Sequence, residues 1–296
     1  MSSQYGFLVK RAAKYAMLVA SVLLVLKLLV WWQTGSVSLL ASLVDSLLDL
    51  AASFTSLLIV NFSLQPADDE HSFGHGKAES LAALAQSAFI AGSAFFLVLS
   101  GVERFFHPQS IESPELGIGV SLLAIIITGA LVMYQKWVVA KTGSLAIKAD
   151  SLHYQSDLLM NATVMLALII SNAGWPIADA VFGIGIGFYI LYGAWRIGSQ
   201  AVQSLLDHRL PIDELELIKR IAVSVDQVHG IHQLRTRMSG EVRFIQMHLE
   251  LSGDLLLIEA HTIADYVEAE LLVHFPQSDI LIHQDPLSAV IQDDRD

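Results

Sequence analysis

The sequence predicts an α-helical membrane protein with six transmembrane helices, followed by a small cytoplasmic α+β domain. The chain has 296 residues, of which 54% are hydrophobic and only 16% charged, whereas about a quarter of the residues of a soluble domain are charged. The long apolar runs fall within the first two hundred residues, and the remainder has an ordinary amphipathic pattern. We therefore predict a membrane domain over 1–207 and a cytoplasmic domain over 208–296.

Six apolar stretches are long enough to cross a bilayer, which takes about 20 residues. They lie at about 12–32, 36–62, 78–106, 115–139, 145–171 and 177–205. Turns are predicted at Gly35–Ser36 and Asn172–Pro176. Apart from Arg104, the basic residues near the span ends fall on one side of a six-crossing topology. By the positive-inside rule, both termini are predicted to be cytoplasmic.

The chain beyond Leu210 reads as a soluble domain of two helices and three strands. We expect Asp213 to cap its first helix, and Ser239–Gly240 to form a hairpin turn. The later elements are strands at 232–238 and 242–251, a helix at about 257–274 and a strand at 279–285. This order predicts helices on one face of a sheet. A domain this small gains stability from dimerisation or from bound metal.

The charge and the cysteine content limit the classes of partner. The net charge is −12 and the chain has no cysteine. The overall negative charge argues against nucleic acid and against an anionic membrane surface as electrostatic partners, and it is compatible with cationic substrates. The lack of cysteine excludes disulfides and thiolate metal sites.

Two pairs of ionisable residues stand four positions apart inside apolar spans: Asp45 with Asp49, and His153 with Asp157. A charged side chain at the bilayer centre costs roughly 2.5 to 3.5 kcal/mol even on lenient scales. The spacing places both members of a pair on one helix face. Two facing helices would then offer three carboxylates and one imidazole to zinc or a similar first-row ion. The alternative is that the aspartates join helices through hydrogen bonds to Ser or Asn.

A polar loop between the second and third spans carries Asp68, His71 and His75. These side chains could bind a metal, and Gly74 and Gly76 would let the backbone fold around it. A solvated acidic loop with ordinary surface histidines is the alternative.

Four histidines and one aspartate of the cytoplasmic domain form a further candidate site. On the second strand His248 faces away from the apolar side chains, and His283 and Asp285 project together from the last strand. His232 opens the first strand and His261 lies early in the second helix. These five could hold one or two metal ions with Asp285 as a bridge.

Together, the six spans, the two intramembrane pairs, the loop Phe73–Glu79 and the α+β tail resemble the cation diffusion facilitator family. The chain is most similar to its bacterial branch of ferrous-iron and zinc efflux transporters, over essentially its whole length. The resemblance implies a homodimer in the bacterial inner membrane, with a ferredoxin-like tail and proton-coupled export of divalent metal.

The resemblance also implies roles for particular residues. It assigns the intramembrane quartet as the transport site and implies a charge interlock between Lys77 and Asp207 near the dimer contact. It also implies that the loop and tail residues named above are metal sites. Many zinc-restricted members have His where this chain has Asp45. A more oxygen-rich site also suits Fe²⁺ or Cd²⁺.

The sequence thus predicts a metal/proton antiporter, and not an enzyme, that exports Zn²⁺, or alternatively Fe²⁺ or Cd²⁺, by alternating access. Zn²⁺ is also expected as a structural or regulatory ion, and His153 as the proton carrier, since imidazole titrates near neutral pH. The expected partners are metal ions, protons, membrane lipid and a second copy of the chain, without nucleic acid.

Two other function classes remain open at the level of sequence. An intramembrane metallohydrolase would need a general base such as the Glu of an HExxH motif, which the sequence lacks. A membrane-bound metal sensor would leave the intramembrane pairs without a role.

Overall fold

The computed structural model describes residues 4–34, 37–107, 115–172 and 177–290. The chain divides into two compact units, the membrane unit Met1–Val202 and the tail unit Gln203–Asp296. Residues 35–36 and 173–176, where turns were predicted, lie outside the described residues.

Six long helices account for nearly all of the membrane unit, as the apolar stretches predicted. They are α1 (Gln4–Thr34), α2 (Val37–Ser63), α3 (Lys77–Phe106), α4 (Glu115–Thr142), α5 (Leu145–Asn172) and α6 (Ala178–Leu205). Within the described part of the chain, five of these helices are long and apolar enough to cross a membrane. The exception is α5, whose first half carries Lys148, Asp150, His153 and Asp157.

The polar helix α5 packs against other helices on two of its faces. Ala146 and Ile147 belong to a buried cluster with side chains of α1, α2 and α4. Ala149 and Leu152 belong to a second cluster with side chains of α3 and α6. Because the other helices shield α5 in this way, its charged side chains can avoid lipid, as intramembrane charges generally do.

The tail unit has the predicted order of helix, strand, strand, helix and strand. Its elements are α7 (Ile212–Ser224), β1 (Gly230–Ser239), β2 (Val242–Leu251), α8 (Leu257–His274) and β3 (Ser278–Pro286). β1 and β2 form an antiparallel hairpin, and β3 lies parallel to β2. Alternate residues of β2, among them Ile245, Met247 and Leu249, are buried with α7 and α8, so the helices cover one face of the sheet.

The predicted helix cap at Asp213 was wrong. Pro211 occupies the N-cap position of α7 without a side-chain cap, and Asp213 lies in the first turn. A carboxylate there still interacts favourably with the positive end of the helix dipole. Proline suits the start of a helix because it has no backbone N–H that would need a partner.

Candidate metal centres

Asp49 of α2 and His153 and Asp157 of α5 meet in the middle of the membrane unit. At 1.5 Å per residue, Asp49 and Asp157 each lie about 18 Å along their helices. The ligand atoms of the three side chains all lie within 4.8 Å of one another. The sequence predicted that these two helices face each other. Their three side chains form a polar cluster, here called the membrane cluster.

One imidazole nitrogen of the membrane cluster faces both carboxylates. Nε2 of His153 lies 3.1 Å from Oδ1 of Asp49 and 3.8 Å from Oδ2 of Asp157. Two ligands at 2.0–2.2 Å from a tetrahedral zinc ion stand about 3.4 Å apart, so these separations suit a shared ion. The His153 side chain is only 12% exposed, which limits competition from water.

Asp45 is the one member of the predicted quartet that is not part of the membrane cluster. Among the described residues, the cluster comprises only the other three, and Asp45 is exposed one helical turn earlier on α2. Its place in the transport site therefore stays a prediction. A fourth ligand from this position requires a change of its rotamer or a rotation of α2.

The three predicted loop residues also come together, and Asp68 organises them. Its Oδ1 accepts hydrogen bonds from the backbone N–H groups of Glu70 and His71 at 3.0 and 2.6 Å. The bond from the His71 backbone is the main reason why the pKa of Asp68 lies below its ordinary value. The carboxylate is therefore held in its anionic form, which is the form that binds metal.

His75 is oriented for ligation by a backbone carbonyl. Its Nδ1 lies 3.2 Å from the Pro66 carbonyl oxygen, to which it can donate a hydrogen bond, while Nε2 faces Oδ2 of Asp68 at 3.4 Å. Such an outer hydrogen bond fixes the tautomer of a metal-binding histidine. Gly74 between the two histidines has a φ of +73°, a conformation that glycine adopts readily. The loop can therefore offer two imidazoles and one carboxylate to an ion.

In the tail unit, the sheet register brings histidines from all three strands into one row. His232 pairs with His248 across β1 and β2, and His248 pairs with His283 across β2 and β3. Asp285 contacts all three: His248 Nδ1 and His232 Nε2 lie 2.7 and 3.3 Å from its Oδ2, and His283 Nε2 lies 3.2 Å from its Oδ1. Both carboxylate oxygens are engaged, as expected of a bridging ligand.

The electrostatic environment of Asp285 also favours the ionised form of its carboxyl group. Burial raises the pKa of this carboxyl, but the hydrogen bond with His248 and the nearby charges of His283 and His232 outweigh it, so that the pKa lies below its ordinary value.

Glu250 belongs to the tail site, although the sequence analysis did not identify it. Its Oε1 lies 3.0 Å from Nδ1 of His232, so it can fix that ring as carboxylates do around metal-binding histidines. A Cβ atom on Gly230, opposite in the register, would lie 2.6 Å from Oε2 of Glu250. The available signal was the alternation of β2, which places Glu250 on the same face as His248.

His261 does not join this row within one chain. Its ring pairs with Asp265 at 3.7 Å on α8 and is 62% exposed. The predicted interlock between Lys77 and Asp207 joins residues of the two units and also stays a prediction. Within the tail unit, Asp207 accepts a hydrogen bond from Arg237 at 3.4 Å.

For Glu79 the sequence left a charge-paired role and metal ligation open, and it did not reveal the contacts that the structure shows. This carboxylate is buried in the first turn of α3, where Tyr5 of α1 and Ser144 before α5 each donate to it at 2.5 Å. The backbone N–H of Ala146 donates to it at 3.3 Å. Glu79 thus connects α1, α3 and α5. It lies four residues after His75 in the sequence.

Comparison with known families agrees with the two-unit organisation. A family model described as the cation efflux transmembrane domain matches residues 13–206, and one described as the cation efflux protein, cytoplasmic domain matches residues 210–287. The chain is 57% identical over 295 residues to the cation-efflux pump FieF of Salmonella agona strain SL483. This alignment covers 100% of this chain and 98% of the relative. The FieF of Salmonella newport strain SL254 is 56% identical over the same length.

Two similar solved structures each cover a little more than a quarter of the chain. One, described as the zinc form of CzrB, is 31% identical and covers 29% of this chain and 99% of its own, with a TM-score of 0.28. The metal-bound C-terminal domain of the CzcD transporter from Thermotoga maritima is 28% identical and covers 28% of this chain and 100% of its own, with a TM-score of 0.26.

The family matches decide between the function classes that the sequence left open. They cover the helices of the membrane cluster and the strands of the tail site, and they describe transport proteins, so the metallohydrolase alternative is rejected. The chain belongs to the cation efflux family, also called cation diffusion facilitators, and is a multi-pass membrane transporter and not an enzyme.

Proposed function

We propose that the protein exports divalent metal cations from the cytoplasm in exchange for protons, by alternating access around Asp45, Asp49, His153 and Asp157. The observation that carries this proposal is the membrane cluster, in which one nitrogen and two carboxylates lie within 4.8 Å of one another. Midway along α2 and α5, such a cluster could face either side of the membrane in turn, as ion sites of transporters do.

The geometry of His153 supports proton exchange. When Nε2 donates a hydrogen bond to Asp49 at 3.1 Å, it carries a proton, and to bind a metal the same nitrogen must give that proton up. Metal and proton therefore compete for one atom. An ion that leaves the site uncovers neighbouring carboxylates as well, and their negative charge favours the return of a proton to the ring.

The ligand types support Zn²⁺ as the main substrate, with Fe²⁺ and Cd²⁺ as alternatives. Zinc takes imidazole and carboxylate ligands in tetrahedral sites. If Asp45 joins the other three side chains, oxygen ligands outnumber nitrogen by three to one, and such a site does not reject harder or larger divalent ions.

The loop and tail sites are proposed to hold further metal ions with structural or regulatory roles. The residues of the tail site suit a metal ion, because Asp285 contacts three histidines. We place the transporter in the bacterial inner membrane as a homodimer, with both termini in the cytoplasm. Membership of the cation efflux family, shown by the match of both domain models and by the FieF pumps named above, supports this assignment.

Transport by reconstituted protein tests the site. In proteoliposomes, Asp49→Ala and Asp157→Ala should each abolish Zn²⁺ uptake, because each removes a ligand from the membrane cluster. Asp254→Ala, which changes an exposed aspartate of the tail unit, serves as the matched control and should transport normally. Undiminished flux in both cluster variants would contradict the site assignment.

A further inference from the structure

The tail unit contains a basic cavity that none of the metal sites explains. The cavity has a volume of 430 Å³, and residues 207 and 209 line it on one side and β1 and β2 on the other. Three arginines border it, Arg209, Arg235 and Arg237, against a single carboxylate, Asp207. This local excess of positive charge stands out in a chain whose net charge is −12.

Arg237 is fixed in place at this cavity. Its Nη1 lies 3.4 Å from Oδ1 of Asp207, and its guanidinium lies 4.4 Å from the ring centroid of Phe244. Its contacts with a carboxylate and an aromatic face hold this guanidinium at the border of the cavity. Arg209 and Arg235 are exposed and, in the part of the chain that the structure describes, make no ion pair.

The segment after α6, which forms one wall of the cavity, is hydrogen-bonded to the sheet. The backbone N–H of Leu210 donates to Oγ1 of Thr236 at 3.1 Å, and Leu210 is only 2% exposed. Asp207 has a φ of +58°, which few residues other than Gly, Asn and Asp adopt. The segment after α6 is therefore held in one shape, with Asp207 turned toward Arg237.

We propose that this cavity binds the phosphate-bearing headgroup of an anionic membrane lipid. Guanidinium groups bind phosphate through paired hydrogen bonds. α6 ends at Leu205, so even a fully extended chain places the backbone of Arg209 within about 14 Å of the end of that membrane helix. Leu206, which joins the helix to the cavity wall, is 72% exposed and suits a position at the lipid surface.

Lipid binding to the purified full-length protein tests this inference. After removal of lipid in detergent, the protein is titrated with dioleoyl phosphatidylglycerol or with dioleoyl phosphatidylcholine, and bound lipid is counted by native mass spectrometry. Arg209→Gln with Arg235→Gln should weaken phosphatidylglycerol binding roughly thirtyfold, as expected for two arginines at a charged lipid surface. Lys219→Gln with Arg220→Gln removes the same charge from the exposed face of α7 and should leave binding unchanged.

The remaining outcomes separate the lipid from other occupants. Equal binding of the two lipids by the unchanged protein, or equal losses in the two double variants, would overturn the proposal. Displacement of phosphatidylglycerol by millimolar inorganic phosphate would also overturn it, because the cavity would then take free phosphate. Arg235→Gln alone, with an unchanged melting temperature, should give a smaller loss and guards against misfolding of the double variant.

Discussion

At the scale of single residues, the nitrogen of His153 that lies between two carboxylates is the centre of the proposed chemistry. It is 3.1 Å from Asp49 and 3.8 Å from Asp157, and a metal ion or a proton can occupy the space between them. Asp45 is exposed one turn away, so its contribution depends on a movement that the other three side chains do not need.

Replacing Asp45 should change the selectivity between metal ions more than it changes the rate of metal uptake. We expect Asp45→His to raise the ratio of Zn²⁺ to Cd²⁺ or Fe²⁺ uptake severalfold, because an imidazole replaces a harder oxygen ligand. Competitive uptake of the three ions into proteoliposomes measures this ratio. If the ratio stays the same while uptake persists, Asp45 does not ligate the transported ion.

Glu250 should set the zinc affinity of the tail site through His232, 3.0 Å away. Loss of a carboxylate that orients a ligating histidine typically costs 10- to 100-fold in metal affinity, and we expect Glu250→Gln to do the same. The measurement is calorimetric Zn²⁺ titration of full-length protein that also carries Asp49→Ala and Asp68→Ala. Glu270→Gln on the exposed side of α8 is the control, and equal affinities in the two variants would exclude the role.

Asp285 should make the metal-free protein sensitive to acid. Its pKa lies below the ordinary value of 3.8, so its charge stabilises the folded state above the pKa of the unfolded chain, and this contribution is lost as the pH falls through the lower folded value. In EDTA, calorimetry should show that below about pH 4 the melting temperature of the unchanged protein falls more steeply with pH than that of Asp285→Asn. Identical slopes would show that the histidine contacts of Asp285 do not stabilise the fold.

At the scale of elements, Glu79 joins α3 to the starts of α1 and α5. Its carboxylate accepts from Tyr5, Ser144 and the N–H of Ala146. Glu79→Ala would leave these donors without their buried acceptor. We expect it to lower the free energy of unfolding by about 2–3 kcal/mol, seen as a lower melting temperature in detergent.

Tyr5→Phe is the graded control for this prediction. It removes one hydrogen bond and keeps the link between α3 and α5, so its effect should be about a third of that of Glu79→Ala. If Glu79→Ala has the stability of the unchanged protein, the three donors find other partners at no cost.

The elements that the sequence predicted are those whose pattern is local. The alternation of β2 and the apolar spans need only neighbouring residues, and the i, i+4 spacing correctly brought His153 and Asp157 to one helix face. The row of three histidines in the tail depends on a bulge between His232 and Arg235, which no local pattern indicates. The contacts of Glu79 depend on how three separate helices pack, and for that reason the sequence did not reveal them.

At the scale of the whole molecule, the two units should contribute differently to transport. Protein that ends after Asp207 keeps the membrane cluster and lacks the tail site. We expect it to move Zn²⁺ at a reduced rate, because it loses the proposed stabilisation of the dimer by tail metal. Uptake by the truncated protein in proteoliposomes measures this, with its melting temperature as a control for folding. A folded truncated protein that moves Zn²⁺ as fast as the full-length protein would contradict a role of the tail metal in transport.

Coupled flow of metal and protons through the membrane cluster is tested most directly by recording both ions in the same proteoliposomes. A trapped zinc dye and a trapped pH dye would follow Zn²⁺ entering and protons leaving. We predict that each Zn²⁺ pulse moves protons in the opposite direction, that an imposed pH gradient drives Zn²⁺ uptake, and that Asp49→Ala abolishes both signals. Zn²⁺ uptake with no change in internal pH would contradict proton exchange, and full signals in Asp49→Ala would contradict the site.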